Sequence, residues 1–326
     1  MKIFRQGINN QLKLTMRSCT NENDYWRVRN FLREVFLLND RFEHSWNVAR
    51  LDYWRWHLIL TCHETAPFEK VTVSWETEDG QLAAILHPIT HDEIRLHVHP
   101  QFRTAELEEE AFAYAEEHYS DITENGNWIL YVPVFSDDPL RQEVLTKRGF
   151  TRRPGWGHHY RRDLDAPLPE VPVPPGYEIR SMGGLDEHPS RSWCSWRAFH
   201  SEEPDSNYDG DYSWYRNMQS APLYRRDLDV VAATTGGEIA AFCTIFYDDY
   251  TRSAVTVVVG TSAEHWRRGL GKAVMAEGMG RLKQLGCNRI FSTAHNEEAA
   301  DGLYRSMLQE MKVTDTWVKE FRRERK

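Results

Sequence analysis

The sequence predicts an α/β (α+β) fold in which a chain of 326 residues is built as two copies of one unit. Three observations lead to this prediction: a proline-rich stretch near the middle, an internal repeat across it, and the same order of predicted strands and helices on both sides. Apolar residues make up 40% of the chain and aromatic residues 12%, which is enough to form buried cores. The length also fits about two domains of ordinary size.

The stretch between the copies reads DAPLPEVPVPPG, residues 165–176, and five of these residues are proline. Proline has no amide hydrogen to donate and holds the chain extended, so this composition is typical of a linker. We therefore predict a first domain at 1–165, a linker at 166–176 and a second domain at 177–326.

Short segments recur across this linker at a nearly constant separation. EDGQLAAIL, residues 78–86, resembles TGGEIAAFC, residues 235–243, at a displacement of 157. LDYWRW resembles the segment GDYSWYR at a displacement of 159, and the segment around Glu106 lines up with the one around Gly269 at 163. The common order of these matches predicts two copies of one fold.

The second copy illustrates the predicted order of elements. The strand YEIRSM is followed by two helices, a hairpin at Gly236-Gly237 and the β-branched strand SAVTVVVGT. A helix then covers RRGLGKAVMAEGMGRLKQ, with Gly286 placed to end it. The strand RIFSTA, the helix EEAADGLYRSMLQEM and the strand VTDTWVKEF complete the copy.

Charge and targeting signals narrow the class of protein. A net charge of −9 argues against nucleic-acid binding, because a phosphate backbone attracts basic surfaces. No run of 18 apolar residues predicts a membrane span, and the N-terminus lacks the apolar core of a signal peptide. The five cysteines are scattered without a Cys-x-x-Cys pair, which predicts reduced thiols, no metal and a cytoplasmic location.

The segment EHWRRGLGKAV, residues 264–274, places two arginines and two glycines between a predicted strand and a predicted helix. The first amides of a helix lack internal partners and lie at the positive end of its dipole, where they bind anions. Gly269 and Gly271 carry no Cβ that would hold a phosphate away from the backbone. The spacing fits neither a P-loop nor a dinucleotide fingerprint. The segment therefore predicts a pyrophosphate site, and glycines that serve only helix packing are the alternative.

This segment resembles the acyl-CoA signature of the GNAT acetyltransferase superfamily, commonly Gln/Arg-x-x-Gly-x-Gly-Gly/Ala. HNEEAADGLYRSM, which comes after it, resembles the next motif of the superfamily, an asparagine before Ala-x-x-Leu-Tyr on a helix. The resemblance covers residues 177–326 and extends to the first half through the repeat. Tandem members of this layout include relatives of mycothiol synthase. It implies that each copy is a mixed, mostly antiparallel sheet flanked by helices.

The resemblance also implies roles for particular residues. Backbone groups at the end of the predicted strand would hydrogen-bond the pantetheine arm, and the glycine turn would hold the pyrophosphate. Asn296 would contact the cofactor arm, and Tyr304 would be the general acid that protonates the departing thiolate. The implied cofactor-binding residues are Val259, Gly260, Thr261, Arg267, Arg268, Gly269, Leu270, Gly271, Lys272, Asn296 and Tyr304.

The sequence departs from the family pattern at three places. Trp266 stands where the family has Gln or Arg, and the spacing from Asn296 to Tyr304 is one residue longer than the commonest form. Leu308-Gln309 replaces the usual Gly-Phe after the second motif. The backbone amides of the turn can still bind a pyrophosphate, because they do most of the binding.

The first copy differs from the second at the glycine turn. At a displacement of 163, Glu106 and Glu108 stand opposite Gly269 and Gly271. Carboxylates suit the N-terminus of a helix but would repel a pyrophosphate. We therefore predict that the first copy does not bind acyl-CoA, and that it packs on the second copy and walls part of an acceptor cleft.

The resemblance implies an acyl-CoA-dependent N-acyltransferase that transfers an acyl group directly from acetyl-CoA to an amine of a small-molecule or amine-bearing acceptor. No carboxylate lies on SAVTVVVGT, so the general base is open. The candidates are His295, Asp248-Asp249 and Glu202-Glu203, and a neutral amine could also attack without a base. A non-catalytic acyl-CoA-binding regulatory module and a purely structural tandem domain are the alternatives. The chain is expected to be a monomer or a homodimer.

One aromatic segment has two interpretations. HSWNVARLDYWRWHLIL, residues 44–60, could be a ligand cage or part of a core. Aromatic residues at helical spacing usually fill a core, so we predict packing.

Overall fold

The computed structural model describes residues 13–295 and 297–322, without the side chain of Trp156. The helices are α1 (Glu22–Leu38), α2 (Val48–Tyr53), α3 (Phe68–Val71), α4 (Ala105–His118), α5 (Pro139–Lys147), α6 (His188–Phe199), α7 (Ser213–Gln219), α8 (Leu270–Gln284) and α9 (Glu298–Met307). The strands are β1 (Thr15–Ser18), β2 (Val73–Glu76), β3 (Leu82–Pro88), β4 (Ile94–Val98), β5 (Asp121–Ile122), β6 (Trp128–Phe135), β7 (Thr151–Asp163), β8 (Tyr177–Ser181), β9 (Asp229–Thr234), β10 (Ile239–Asp248), β11 (Ser253–Thr261), β12 (Arg289–Ala294) and β13 (Glu310–Phe321). A π-helical turn, Trp54–Ile59, continues α2.

The strands form two sheets, of order β1-β2-β3-β4 and β5-β6-β13-β7-β12-β11-β10-β9-β8. Neighbouring strands are antiparallel except β11 and β12, which are parallel. A parallel bridge between Glu93 and Tyr131 joins the edge of the first sheet to β6. Helices cover the sheets, so the predicted mixed, mostly antiparallel architecture is confirmed.

The repeat predicted from the sequence is present in the order of elements. The series β1, α1, α2, β2, β3, β4, α4, β6, α5, β7 is followed by β8, α6, α7, β9, β10, β11, α8, β12, α9, β13. Each matched sequence segment falls on corresponding elements, such as the β2–β3 and β9–β10 hairpins. The chain is therefore two copies of one fold.

The last strand of each copy pairs with the other copy. Strand β7 lies against β12 of the second copy, and β13 lies between β6 and β7 of the first. The two exchanged strands pair antiparallel with each other as the third and fourth strands of the nine-stranded sheet. Backbone hydrogen bonds therefore join the two copies into one sheet. The predicted linker at 166–176 and the domain boundaries stay predictions.

The prediction for the end of the chain was wrong in one respect. The periodicity favoured a helix through Met311, but α9 ends at Met307 and β13 begins at Glu310. The Gln309 amide donates to the carbonyl of Arg161 at 2.9 Å, and Glu310 pairs with Arg161 across β7. Pairing with β7 therefore ends the helix early, which local periodicity does not reveal. After α9 the chain continues through Leu308, which is extended, and the glycine turn of the family is absent from this position.

Helices α1 and α2 of the first copy pack on the sheet of the second. The Phe36 ring contacts Phe291 of β12 at a centroid distance of 5.7 Å. Arg33 pairs with the buried Asp248 at 2.6 Å, and the Asn47 amide donates to the Ser253 hydroxyl at 2.7 Å. These contacts bring α2 over the point where β11 and β12 run together.

A buried charge network holds α2 to α1. The Arg29 guanidinium donates to both carboxylate oxygens of Asp52, at 2.8 and 3.0 Å, and the Tyr25 hydroxyl donates at 2.7 Å. Arg29 and Asp52 are 2% and 0% exposed. Since breaking a buried ion pair leaves one charge without compensation, this network sets the position of α2.

We expect Asp52→Ala to lower the free energy of unfolding by about 3 kcal/mol, because the Arg29 guanidinium would stay buried without its partner. Denaturant-induced unfolding of the full chain measures this change. The double variant Arg29→Met, Asp52→Leu serves as control and should recover much of the loss. Equal destabilisation in the single and double variants would contradict the assignment to an unpaired charge.

The structure can be compared with the expectations of reduced thiols, no membrane span and no metal site. All five cysteines are free thiols, and four of them are buried. Within 13–295 and 297–322, no helix has the length and apolar character needed to cross a bilayer, and no three potential ligand side chains cluster as a metal site. The absence of a metal and the location in the cell stay predictions.

Candidate active site

Strands β11 and β12 diverge from each other in the middle of the second copy. Their parallel pairing covers Ser253–Val255 against Arg289–Phe291, whereas β11 continues to Thr261. The residues of β11 beyond Thr256 are half-buried rather than buried. In the described structure, the edge of β11 that faces β12 therefore has no strand partner beyond Val255.

A β-bulge accounts for this gap. Ile245 of β10 lies opposite Thr256, but the preceding Thr244 lies opposite Val258, so Val257 is an extra residue in β11. A bulge bends its strand and increases the local twist. The bend starts where pairing with β12 ends, and it leaves backbone amides and carbonyls of β11 facing an open wedge.

The predicted contact residues Val259, Gly260 and Thr261 line this end of β11. A Cβ on Gly260 would lie 2.5 Å from the Phe242 ring and 3.0 Å from Ala198, so glycine is required there for close packing against α6. Helix α6 therefore packs tightly against this end of β11.

The turn from β11 to α8 carries the predicted pyrophosphate residues. Gly269 adopts a left-handed conformation, with φ of 82°, and is the N-cap of α8. Arg267 is also left-handed, with φ of 61°. Positive φ costs energy in a residue with a Cβ, and such strain occurs at functional loops. The backbone of this turn is therefore held in a special conformation.

The two copies differ in how their equivalent helices begin. Helix α4 is capped by Thr104, whose hydroxyl accepts from the Leu107 amide at 3.2 Å. Helix α8 has glycine at its N-cap and no side-chain cap. Its first amides, at Leu270, Gly271 and Lys272, therefore keep their capacity to bind an anion.

Three cations surround this helix end. Arg267 and Lys272 are exposed, and within the described part of the chain neither pairs with a carboxylate. Arg268 is engaged instead: it donates to the Tyr177 hydroxyl at 2.7 Å and to the Glu264 carbonyl at 3.1 Å. The structure thus leaves two of the three predicted cations available to a phosphate.

Trp266 has a local role in the turn. Its ring is 46% exposed, and its indole N–H donates to the Thr261 carbonyl at 2.8 Å. The bond ties the turn to the end of β11. Trp266 therefore closes the turn at the position where the family has Gln or Arg.

Helix α9 packs beside the same turn. A Cβ on Gly271 would lie 3.5 Å from a Leu303 methyl and 3.6 Å from the Thr261 hydroxyl. The end of β11, the start of α8 and α9 therefore meet, and this brings the two sequence motifs together at one place.

Tyr304, the residue after Leu303, is 7% exposed and lies near the base of the wedge. Burial raises the pKa of its hydroxyl, while the neighbouring Ser292 hydroxyl acts in the opposite direction. Ser292 in turn contacts Thr256, where β11 begins to diverge. The Tyr304 hydroxyl is therefore protonated at neutral pH.

His295 comes directly after β12, and a Cβ on Gly157 would lie 3.3 Å from its Nδ1 atom. The residue keeps some exposure to solvent, and partial desolvation of its imidazole together with the charges of Arg95 and Arg50 lowers its pKa to about 4. It is therefore uncharged at neutral pH. Asn296, the predicted contact to the cofactor arm, lies outside the described residues.

The other candidate bases are placed differently. Asp248 is fully buried, and its carboxylate accepts from Arg33 and from the Thr251 hydroxyl at 2.7 Å. Its contacts are those of a structural residue between the copies. Glu203 is exposed and bonds His200 at 2.9 Å on the loop after α6.

The correspondence of glutamates with glycines needs correction. Helix α4 begins at Ala105 and α8 at Leu270, because the preceding turn is two residues longer in the second copy (262–269 against 99–104). Glu106 therefore stands where Gly271 stands, rather than Gly269. A carboxylate still stands in the first copy where the second copy has Gly271, because Glu106 lies in the first turn of α4.

Glu108 lies inside the first copy. It is fully buried and is held by Arg103 at 2.7 Å and by Arg141 at 3.0 Å. The glutamate that was expected to repel an anion at the helix end is therefore part of a buried ion-pair network.

A cavity of about 520 Å³ borders β11 at Val258. It lies between α6 and α7 of the second copy and the α2–π-helical segment of the first, from which Tyr53 and His57 line it. Trp196 and Trp214 line it from the other side. We call this cavity the interdomain chamber.

Sequence reasoning assigned the aromatic segment at 44–60 to packing. This is confirmed for Trp54, which is fully buried in a core, but Tyr53 and His57 face the interdomain chamber. The repeat carried a signal for this, because it paired LDYWRW with GDYSWYR. The π-helical turn at the end of the first segment packs against α7, which contains much of the second.

Comparison with known proteins shows which families and structures the chain is similar to. Residues 191–308 match the acetyltransferase (GNAT) family. A GCN5-related N-acetyltransferase from Sphaerobacter thermophilus is 16% identical, with 96% of this chain and 97% of that chain covered and a TM-score of 0.62. A tandem GNAT protein from the clavulanic acid biosynthesis pathway is 15% identical, with coverage of 96% and 100% and a TM-score of 0.60.

N-myristoyltransferase from Saccharomyces cerevisiae, solved with bound myristoyl-CoA, is 10% identical over 95% of this chain and 80% of that one, with a TM-score of 0.53. No curated protein sequence matches the chain. The shared fold is one that acyl-CoA-dependent acyltransferases use.

The fold of the whole chain is therefore that of the GNAT-type acetyltransferase structures to which it is similar. Residues 191–308 match the acetyltransferase (GNAT) family model, and the whole chain has the fold of a tandem GNAT protein.

Proposed function

We propose that this protein is an N-acyltransferase that uses acetyl-CoA and acylates an amine by direct transfer. The observation that supports this most is the uncapped N-terminus of α8 beside the wedge between β11 and β12. The equivalent helix of the other copy is capped by Thr104 and carries Glu106 in its first turn. One copy therefore offers an anion site, and we assign the cofactor to it.

In this proposal the turn at 267–272 binds the pyrophosphate through backbone amides, with Arg267 and Lys272 adding charge. Backbone groups of Val259, Gly260 and Thr261 bind the pantetheine arm along the open edge of β11. Acetyl-CoA supplies the activated acyl group when it is bound. The start of α8 would hold the anionic end of acetyl-CoA, and the open edge of β11 would hold its pantetheine arm and thioester.

The acyl transfer forms a carbon–nitrogen bond and breaks a carbon–sulfur bond. An ammonium acceptor first loses one proton to solvent, and its nitrogen then bonds to the acyl carbon as the bond to sulfur breaks. Amides at the end of β11 stabilise the negative charge that develops on the acyl oxygen. Tyr304 gives its proton to the departing sulfur, and the proton that the nitrogen loses on forming the amide is released through solvent, which also restores the tyrosine.

The proposal is tested with the full chain in two steps. Calorimetry with acetyl-CoA, against desulfo-CoA and adenosine as controls, measures whether the cofactor binds. Thiol release is then followed with a panel of primary amines. Binding with turnover supports the proposal; binding without turnover on any amine favours the regulatory module, and no binding of acetyl-CoA overturns both.

A further inference from the structure

The interdomain chamber is formed by both copies and opens beside the proposed acyl site. Val258, which precedes the predicted cofactor contact Val259 on β11, lines the chamber. Its volume of about 520 Å³ fits a small molecule rather than a protein segment. This position makes the chamber a candidate site for the acceptor of the acyl group, and such an assignment rests on the proposed function.

The walls of the chamber are largely aromatic. Trp196 stacks on Trp193 and on His200, each at a centroid distance of 5.7 Å, and Tyr208 packs against it at 5.6 Å. The Trp214 indole N–H donates to the Ser192 hydroxyl at 3.0 Å. Because neighbours hold these rings in place, they form a prearranged surface for an apolar or cationic group.

The fixed charge on the side chains that line the chamber is negative, and the buried Arg191 guanidinium lies behind the lining, 5.9 Å from the ring centroid of Trp214. Asp209 and Asp211 line the chamber, and its lining contains no lysine or arginine. Both aspartates also accept hydrogen bonds within their own loop, from the Asp211 amide and from Ser213, but these bonds leave their charges in place. The loop between α6 and α7, SEEPDSNYDGDY at 201–212, carries five carboxylates in all. Such a wall attracts cations and repels anions.

The histidine from the first copy does not offset this charge. His57 lies between the rings of Tyr53 and Trp214, at centroid distances of 4.9 and 5.7 Å. Burial, with a smaller contribution from the Arg191 charge, lowers its pKa to about 4, so the imidazole is neutral at neutral pH. In the described structure its Nδ1 atom is buried and has no hydrogen-bond partner.

We propose that the interdomain chamber is the acceptor site and that the acceptor is a primary amine, cationic in solution, on an aromatic or apolar body. Trp196, Trp214 and Tyr53 contact the body and the cation, and Asp209 and Asp211 select for positive charge. The first copy thus supplies one wall of the site in the second copy, through Tyr53 and His57.

The test uses the full chain and three probes of matched size: 2-phenylethylamine, 2-phenylethanol and 3-phenylpropionate. Calorimetry without acetyl-CoA should show the amine binding at least about tenfold more tightly than the alcohol, and no binding of the carboxylate, given what a cation gains from aromatic faces and carboxylates. Thiol release with acetyl-CoA and 2-phenylethylamine then reports whether the bound amine is acylated.

Two variants test the walls. Trp214→Leu should weaken amine binding about tenfold, as expected for losing a desolvated cation–π contact, and Asp209→Asn should weaken it about threefold. Trp196→Leu replaces Trp214→Leu if the latter melts at a lower temperature than the parent. Trp26→Leu, at an exposed tryptophan of α1, and Glu178→Gln, at an exposed glutamate of β8, are the matched controls and should leave binding unchanged.

The outcomes separate this inference from the proposed function. If acetyl-CoA binds, three results would overturn the acceptor assignment alone. These are tighter binding of 3-phenylpropionate than of the amine, no binding of any probe, and wall variants that leave the affinity for the amine unchanged. Failure of acetyl-CoA to bind would overturn the proposed function, while the probe titrations would still decide whether the chamber takes cationic amines.

Discussion

Replacing Gly271 with glutamate should raise the Kd for acetyl-CoA about 1,000-fold while leaving the melting temperature unchanged or slightly higher. A carboxylate in the first turn of α8 would repel the pyrophosphate and occupy the amides that bind it, and each lost charge-assisted bond costs about 1.5–3 kcal/mol. The fold should tolerate the change, since a Cβ at this position makes only ordinary contacts with Leu303 and Thr261. Glutamate also suits the start of a helix better than glycine does.

Calorimetric titration and thermal melting on the same preparation check both parts of this prediction. Gly280→Glu is the matched control, because it makes the same change in the same helix at a position where a Cβ meets nothing within 4 Å. Its acetyl-CoA affinity should stay within about twofold of the parent. A Gly271→Glu variant that melts normally and still binds acetyl-CoA would place the cofactor elsewhere.

Replacing Tyr304 with phenylalanine should lower kcat about 1,000-fold and change the Kd for acetyl-CoA by less than about threefold, because general acid catalysis contributes about 10²- to 10⁴-fold. Burial raises the pKa of this hydroxyl, so it is the protonated form that acts. The rate should therefore show no loss through tyrosine ionisation up to about pH 9.

Tyr160→Phe is the control for the loss of a buried phenol. Its ring centroid lies 6.1 Å from that of Tyr304, but its hydroxyl donates to Asp301 at 2.6 Å rather than facing Ser292. Single-turnover kinetics with saturating acetyl-CoA would separate the chemical step from binding. Equal losses in both variants would indicate a packing effect and would remove Tyr304 from the proposed chemistry.

The sequence predicted the parts of the cofactor site that depend on local pattern. The β-branched strand, the Gly-x-Gly turn and the amphipathic helix are contiguous, so the spacing of residues 253–284 was sufficient to predict β11, the turn and α8. The repeat likewise predicted two copies, because each copy carries its own complete series of turn and strand signals. The predicted end of α9 was wrong because Glu310 pairs with a residue of β7 that lies about 150 positions earlier in the chain.

Residues of the proposed acceptor site were harder to predict because no local rule marks them. Tyr53 and His57 have the helical spacing of core aromatics, and Trp54 between them is in fact core. Only the packing of the first copy on the second leaves one face of this segment open to a chamber. The prediction that Arg268 binds phosphate could not take account of its partner Tyr177, because that residue lies in β8, 91 residues earlier in the chain.

The sequence by itself determined the two-copy architecture, the mixed sheets and the GNAT resemblance of the second copy, because these depend on periodicity, turn residues and contiguous motifs. Only the tertiary structure decided that β7 and β13 are exchanged, that a bulge at Val257 opens the wedge, and that Tyr53 and His57 are the residues by which the first copy lines the interdomain chamber. Strand pairing and helix docking join residues that are far apart in the chain, and the free energy of those contacts is set by three-dimensional complementarity that no local pattern encodes.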